Sequence, residues 1–198
     1  MADGQRPERA DAARNRRAIM RATEELLREY EPAEVSIERV AAVAGVGKAT
    51  VFHRFGSRAG LMQAVAHERA EALHQAALGG RPPLGPGAPP RARLLAFLDA
   101  LVDLASRSSS LLTAQEHAAL TSKTAAANRH ENPVYLFWHE HIASLIAEAR
   151  PDLDAKLLAH MMLGSLHDIP VARLLREGNA ARVAAGYRQL ATSLLGPS

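Results

Sequence analysis

Apolar and small residues return at helical spacing along the first part of the chain: Ile19, then Ala22 or Thr23, then Leu26 or Leu27, with Tyr30 closing the stripe. That period predicts an amphipathic first helix from about Ala13 to Glu29, which Pro32 ends because its ring disfavours helix in the residue before it. A second short helix is expected to start after Ser36, a natural N-cap, to turn Ile37, Val40, Ala41 and Ala44 inward and to stop at Gly45. A third follows almost at once over residues 47–55, with Val51 and Phe55 on its buried side and Lys48, Thr50 and His53 outside. Ser57 is placed to cap a long fourth helix through Leu61, Met62, Val65 and Leu73 to about Leu78. At 1.5 Å per residue, some 20 residues make a rod of ~30 Å.

The run Gly79-Gly80-Arg81-Pro82-Pro83-Leu84-Gly85-Pro86-Gly87-Ala88-Pro89-Pro90 suits neither helix nor strand and reads as an exposed, flexible linker over residues 79–90. Five further helical patterns come after it: Arg91 to Ser106, Leu111 to Ala127, Pro133 to Ala149, Pro151 to Glu177 and Ala180 to Leu195. Pro133 and Pro151 stand where proline is best tolerated, at helix starts. Within Pro133 to Ala149, Val134, Trp138, His141, Ile142 and Leu145 share a face. The next pattern has two apolar faces, one with Leu157, Met161 and Leu174, the other with Leu158, Met162 and Ile169, and so is expected to be covered on both sides. With Val183, Tyr187, Leu190 and Leu194 as the stripe of the last helix, two such helices from each of two chains would make a four-helix homodimer interface.

Composition agrees with an all-α chain. Of 198 residues, 47% are hydrophobic but only 4% aromatic, and the thin supply of β-branched residues argues against a sandwich or barrel. There is no cysteine, so disulfides and thiolate sites are excluded. The polar beginning has no apolar core of a signal peptide, and no unbroken apolar run reaches the ~18 residues of a membrane span, so a cytoplasmic protein is expected. Formal net charge is +3, and residues 1–21 alone, with six arginines against three acids, carry that same excess. A basic end ahead of a first helix suits phosphate contact, as it also suits simple solubility.

A short helix, a tight glycine turn and a second short helix with a polar outer face make a helix-turn-helix, whose second helix enters the DNA major groove. The stretch IERVAAVAGVGKATVFHRFGSRAGLM, residues 37–62, resembles the DNA-binding signature of the TetR family of one-component transcriptional regulators, and the resemblance spans residues about 14–75. It implies an N-terminal three-helix DNA-binding domain over residues 1–56, joined by the long fourth helix to a helical ligand-binding and dimerisation domain over residues 57–198. It implies in addition a homodimer through the last two helices, a palindromic operator and a small-molecule effector. Carried onto this chain, the DNA-facing set is Arg17, Ser36, Gly47, Lys48, Ala49, Thr50, Phe52, His53 and Arg58, with Ser36 and Arg58 at phosphates. The family often has Tyr at Phe52, Ser at Gly47, Gly at Ala49, Lys at Arg58 and Thr at Val35. Without a hydroxyl at position 52 only an apolar contact, as with a thymine methyl, remains there. Val35 cannot cap the second helix, so Ser36 must.

The expected effector wall comprises Phe97, Leu101, Tyr135, Trp138, His141, Met162 and His167, mostly apolar with a few polar anchors, which suits a small, largely apolar effector. His139 and His141 lie two apart and so on different helix faces, and no HExxH motif occurs, so neither a metal nor a cofactor is expected. No nucleophile elbow, P-loop or dinucleotide fingerprint is present, and no enzyme is expected. The sequence therefore reads as a ligand-responsive repressor. The competing reading is an all-α ligand-binding or protein-interaction module whose helix-turn-helix does not bind DNA.

Overall fold

A computed structural model of the chain describes residues 5–111, 132–166 and 168–196. Among them are nine α-helices, one 3-10 turn at Pro32–Glu34 and no strand. The helices are α1 (Gln5–Glu29), α2 (Ile37–Ala44), α3 (Lys48–Phe55), α4 (Arg58–Gly79), α5 (Pro90–Ser109), α6 (Pro133–Ala149), α7 (Ala155–Leu166), α8 (Ile169–Arg176) and α9 (Ala180–Leu195). Contacts divide them into two compact units: residues 5–68 with Leu111 in the first, and residues 69–110, 132–166 and 168–196 in the second. The division falls within α4.

In the first unit the expected period is met, because the residues that recur at three and four in α1 are the ones with no other place to go. Ile19, Ala22, Thr23 and Leu26 are buried, and the Thr23 hydroxyl donates to the Ile19 carbonyl at 2.8 Å, so its one polar group is satisfied inside the helix. Val35, Val40, Val51, Leu61 and Val65 complete this core, with Leu111 inserted into it from far along the sequence. α1 begins at Gln5 rather than near Ala13; its first turns carry no apolar stripe, and a periodicity argument therefore had nothing to detect.

The core of the second unit runs through Leu94, Phe97, Leu98 and Leu101 of α5, Ile142, Leu145 and Ile146 of α6, Ala159 and Leu163 of α7, and Tyr187 and Ala191 of α9. The Tyr187 hydroxyl donates to the Met162 carbonyl at 2.9 Å and meets the Ser165 hydroxyl at 2.5 Å, which ties α9 to α7. Arg150, at the end of α6, forks onto Asp152 at 2.7 and 2.8 Å and donates to the Leu194 carbonyl at 3.0 Å.

Two expectations are corrected. The pattern from Pro151 to Glu177 is two helices, not one, because Pro170 sits in the first turn of α8, where it has no N–H to continue α7. In α9 the inward stripe is Val183, Tyr187, Ala191 and Leu195, and Leu190 is exposed. Residues 79–90 are largely exposed as expected but fold as consecutive turns: Gly80 N–H donates to Ala76 at 2.9 Å, Gly85 N–H to Arg81 at 3.0 Å, and Leu84 packs on the second core. The expected helix from Leu111 to Ala127 lies, beyond Leu111, outside the described residues.

Candidate nucleic-acid interface and effector cluster

The turn between α2 and α3 is built by glycine conformation and capping. Gly45 adopts φ 67°, ψ 31°, a left-handed geometry that costs an L side chain. From it Val46 N–H reaches back to the Ala41 carbonyl at 3.0 Å and Gly45 N–H to Ala42 at 3.3 Å, the paired bonds that close a helix C-terminus. At the other end of α2 the Ser36 hydroxyl accepts from Arg39 N–H at 3.2 Å, so Ser36 does the capping that Val35, fully buried in the core, cannot. α3 leaves Gly47 with no side-chain cap; its N-terminal amides are thus not claimed by a side chain, the polarity that suits a phosphate.

Val51 fastens α3 to the core with Phe55 half-buried beside it, and the opposite face of α3 is open. Lys48, Ala49, His53 and Arg54 are exposed, Phe52 is 42% exposed, and Thr50 is half-buried. The Lys48 ammonium sits 5.6 Å from the Phe52 ring centre and is ion-paired with Glu38 of α2. That hydrogen bond from Lys48 holds the Glu38 carboxyl at a pKa of about 2. Glu38 escaped sequence reading because ten residues across a turn show no periodicity. Arg17 is exposed on α1, and the Arg16 guanidinium lies 5.4 Å from the Phe55 ring centre.

Arg58 departs from expectation. Instead of standing free for a phosphate, its guanidinium is half-buried and donates to the carbonyls of Val35 at 3.0 Å, Pro32, and Leu111 at 3.4 Å. Arginine's several donors in one plane can satisfy carbonyls from two separate stretches at once, and this one staples the start of α4 to the chain entering α2 and to Leu111. At Gly60 a Cβ would lie 2.1 Å from the Phe55 carbonyl oxygen, so glycine is what lets α4 start against the end of α3.

In the second unit, Phe97, Leu101, Tyr135, His141 and Met162 are buried and Trp138 is half-buried, all within one core. His167 lies outside the described residues. Phe97 meets His141 edge-on at 4.7 Å, Phe137 stacks on His141 at 5.6 Å, and His74 of α4 stacks on Phe137 at 3.7 Å. His141 is 8% exposed, and burial first, then the charges of Arg93 and His74, hold its pKa down at about 4. Arg93 and His74 were not anticipated from sequence, since their spacing to His141 is set by helix packing. Tyr135 turns its hydroxyl to His160 Nδ1 at 2.8 Å.

Residues 19–65 match the family described as bacterial regulatory proteins, tetR family. This stretch of the chain is thus similar to tetR-family regulatory proteins. The match runs from Ile19, inside α1, through α2 and α3 to Val65 in α4. In fold, the chain is similar over most of its length to the fatty acid degradation regulator FadR from Bacillus halodurans, with a TM-score of 0.56 and 17% identity over 90% of this chain and 93% of that one. It is similar likewise to the regulatory protein TetR from Rhodobacter sphaeroides, with a TM-score of 0.52 and 22% identity over 88% and 97%. Among curated proteins none matches it. No helix among the described residues is long and apolar enough to cross a membrane.

Proposed function

We propose that this protein is a transcriptional regulator, an effector-responsive repressor that holds a palindromic operator as a homodimer and releases it when a small, largely apolar molecule binds the second unit. The observation that carries the reading is the open face of α3. Lys48, Phe52, His53 and Arg54 stand outward on a helix whose other face is anchored by Val51 and Phe55, and those outward groups have no packing task. Lys48, Gly47, Ala49 and Thr50 would meet the groove and its phosphates at the N-terminal end of α3, Phe52 and His53 the bases, and Ser36 and Arg17 the flanking backbone. Arg58 would act from behind, by holding the start of α4.

Support for the homodimer comes from the outer faces of the last helices. Leu157 and Met161 of α7, Ile169 of α8 and Leu190 of α9 are all more than half exposed, Ile169 at 79%, and apolar exposure on this scale marks an association surface. An open groove of about 410 Å³, lined by Ile169, Pro170, Arg173, Leu174, Glu177 and Arg182, lies on the same elements. Half-sites on one face of B-DNA are ~34 Å apart or a multiple, so an effector that alters the separation of the two α3 helices would mismatch the operator.

The test is selection of bound duplexes from a randomised pool, with the solution mass measured in parallel. An enriched inverted repeat and a dimeric mass are expected, and Lys48→Ala should weaken binding to all sequences and flatten the salt slope by ~1. A dimer that shows no salt-dependent DNA association would instead favour the interaction module.

A further inference from the structure

Among the described residues of the second unit, three side-chain nitrogens are buried without a hydrogen-bond partner: Arg93 Nε, Trp138 Nε1 and His141 Nε2. A buried polar nitrogen left unpaired is destabilising, so native structures rarely keep even one without reason. Three together call for an explanation. They lie on two helices in contact: Trp138 and His141 are one turn apart on α6, and Arg93 is one turn before Phe97 on α5, whose ring meets the His141 imidazole at 4.7 Å.

The chemistry of the trio selects its partner. Arginine Nε and indole Nε1 donate and cannot accept, so whatever satisfies both presents lone pairs. Arg93 brings a permanent positive charge, and its field with that of His74 already disfavours a second cation at His141. An incoming anion removes that conflict, and a neutral amide or hydroxyl does not. Beside His141 lie the apolar rings of Phe97 at 4.7 Å and Phe137 at 5.6 Å, and Phe97 and Leu101 of α5 are fully buried. Arg93 and Trp138 themselves are half-buried, which puts the cluster at the edge of the core.

We propose that the effector is an organic carboxylate on an apolar body, its two oxygens accepting from Arg93, Trp138 and His141 and its body lying along Phe97 and Leu101. This rests on the effector reading given above and supplies its chemical class. Charge-assisted hydrogen bonds from a half-buried arginine separate an acid from its alcohol by about tenfold in affinity.

Trp138 is the chain's one tryptophan, so the site carries its own reporter. The full-length protein is titrated with decanoate and phenylbutyrate, and with the matching alcohols, while Trp138 emission is read. Carboxylates should shift the emission saturably at concentrations about tenfold below those the alcohols need, and Arg93→Met should abolish that preference. Trp138→Phe, followed by thermal melting, should show the same acids stabilising the protein less than they stabilise the parent. Equal binding of acids and alcohols, an acid preference that survives Arg93→Met, or no response to any acid would each overturn the proposal. DNA association of the same samples separates the two readings. DNA binding that persists unchanged under saturating acid removes the effector role, whereas DNA binding absent from the start sinks the regulator and leaves the carboxylate site standing or falling on the emission data.

Discussion

Lys48 can face either Glu38 or a phosphate, and the balance is decided by where the two charges sit. Both members of the Lys48–Glu38 pair are more than half exposed, so water screens the pair to little net worth, while a duplex offers a dense row of phosphates with counterion release behind each contact. Glu38→Gln should therefore raise DNA affinity severalfold at low salt and less at high salt, as read by fluorescence anisotropy; an unchanged affinity would show that Glu38 does not face the duplex. Arg58 poses the opposite case. Its carbonyl partners come from two stretches of the first unit, Pro32 and Val35 before α2 and Leu111, and Arg58→Met takes away these bonds at a cost of about 2 kcal/mol. Urea unfolding should show that loss, while the salt slope of DNA binding stays unchanged. A slope flattened by ~1 would put the guanidinium on a phosphate after all.

At the scale of elements, punctuation residues explain both the successes and the misses of sequence reading. Ser36, Gly45 and Gly56 bound α2 and α3 where capping chemistry says they must. Gly45 offers a clean test, because a Cβ built there meets nothing within 4 Å. Gly45→Ala therefore introduces backbone strain with no clash, and should lower stability by about 1 kcal/mol without altering the fold, measured as a shift in the urea midpoint with circular dichroism retained. Pro170 was equally visible, yet the two apolar faces on either side of it suggested one continuous helix. Periodicity is preserved across a break when both pieces pack on the same core, so the proline was the better guide.

For the whole molecule the buried histidine sets a pH response. His141 titrates near pH 4 in the folded second unit against 6.5 in the free side chain. Between those values the unfolded chain takes up a proton that the folded one refuses. The contribution to stability is thus complete above about pH 6.5 and is lost as the pH falls toward 4. Thermal melting at pH 7 and pH 5 should show this drop, and His141→Leu should reduce it; an equal drop in the variant would place the acid sensitivity elsewhere.

Local sequence determined the helices, their caps, the turn between α2 and α3 and the family resemblance, because each depends on residues within about a turn or two of one another. It indicated also which residue would cap α2 once Val35 stood in place of a hydroxyl. Pairings across distance were decided by the tertiary structure alone. Arg58 and Lys48 look alike in sequence, two cations at the starts of neighbouring helices, and only packing gave one to the carbonyls of Val35, Pro32 and Leu111 and left the other on an open face. The same holds for Arg93, Trp138 and His141. Their donors are ordinary until α5 and α6 pack together and take the water away, and it is that desolvation, which no single stretch of chain encodes, that turns three side chains into a candidate site.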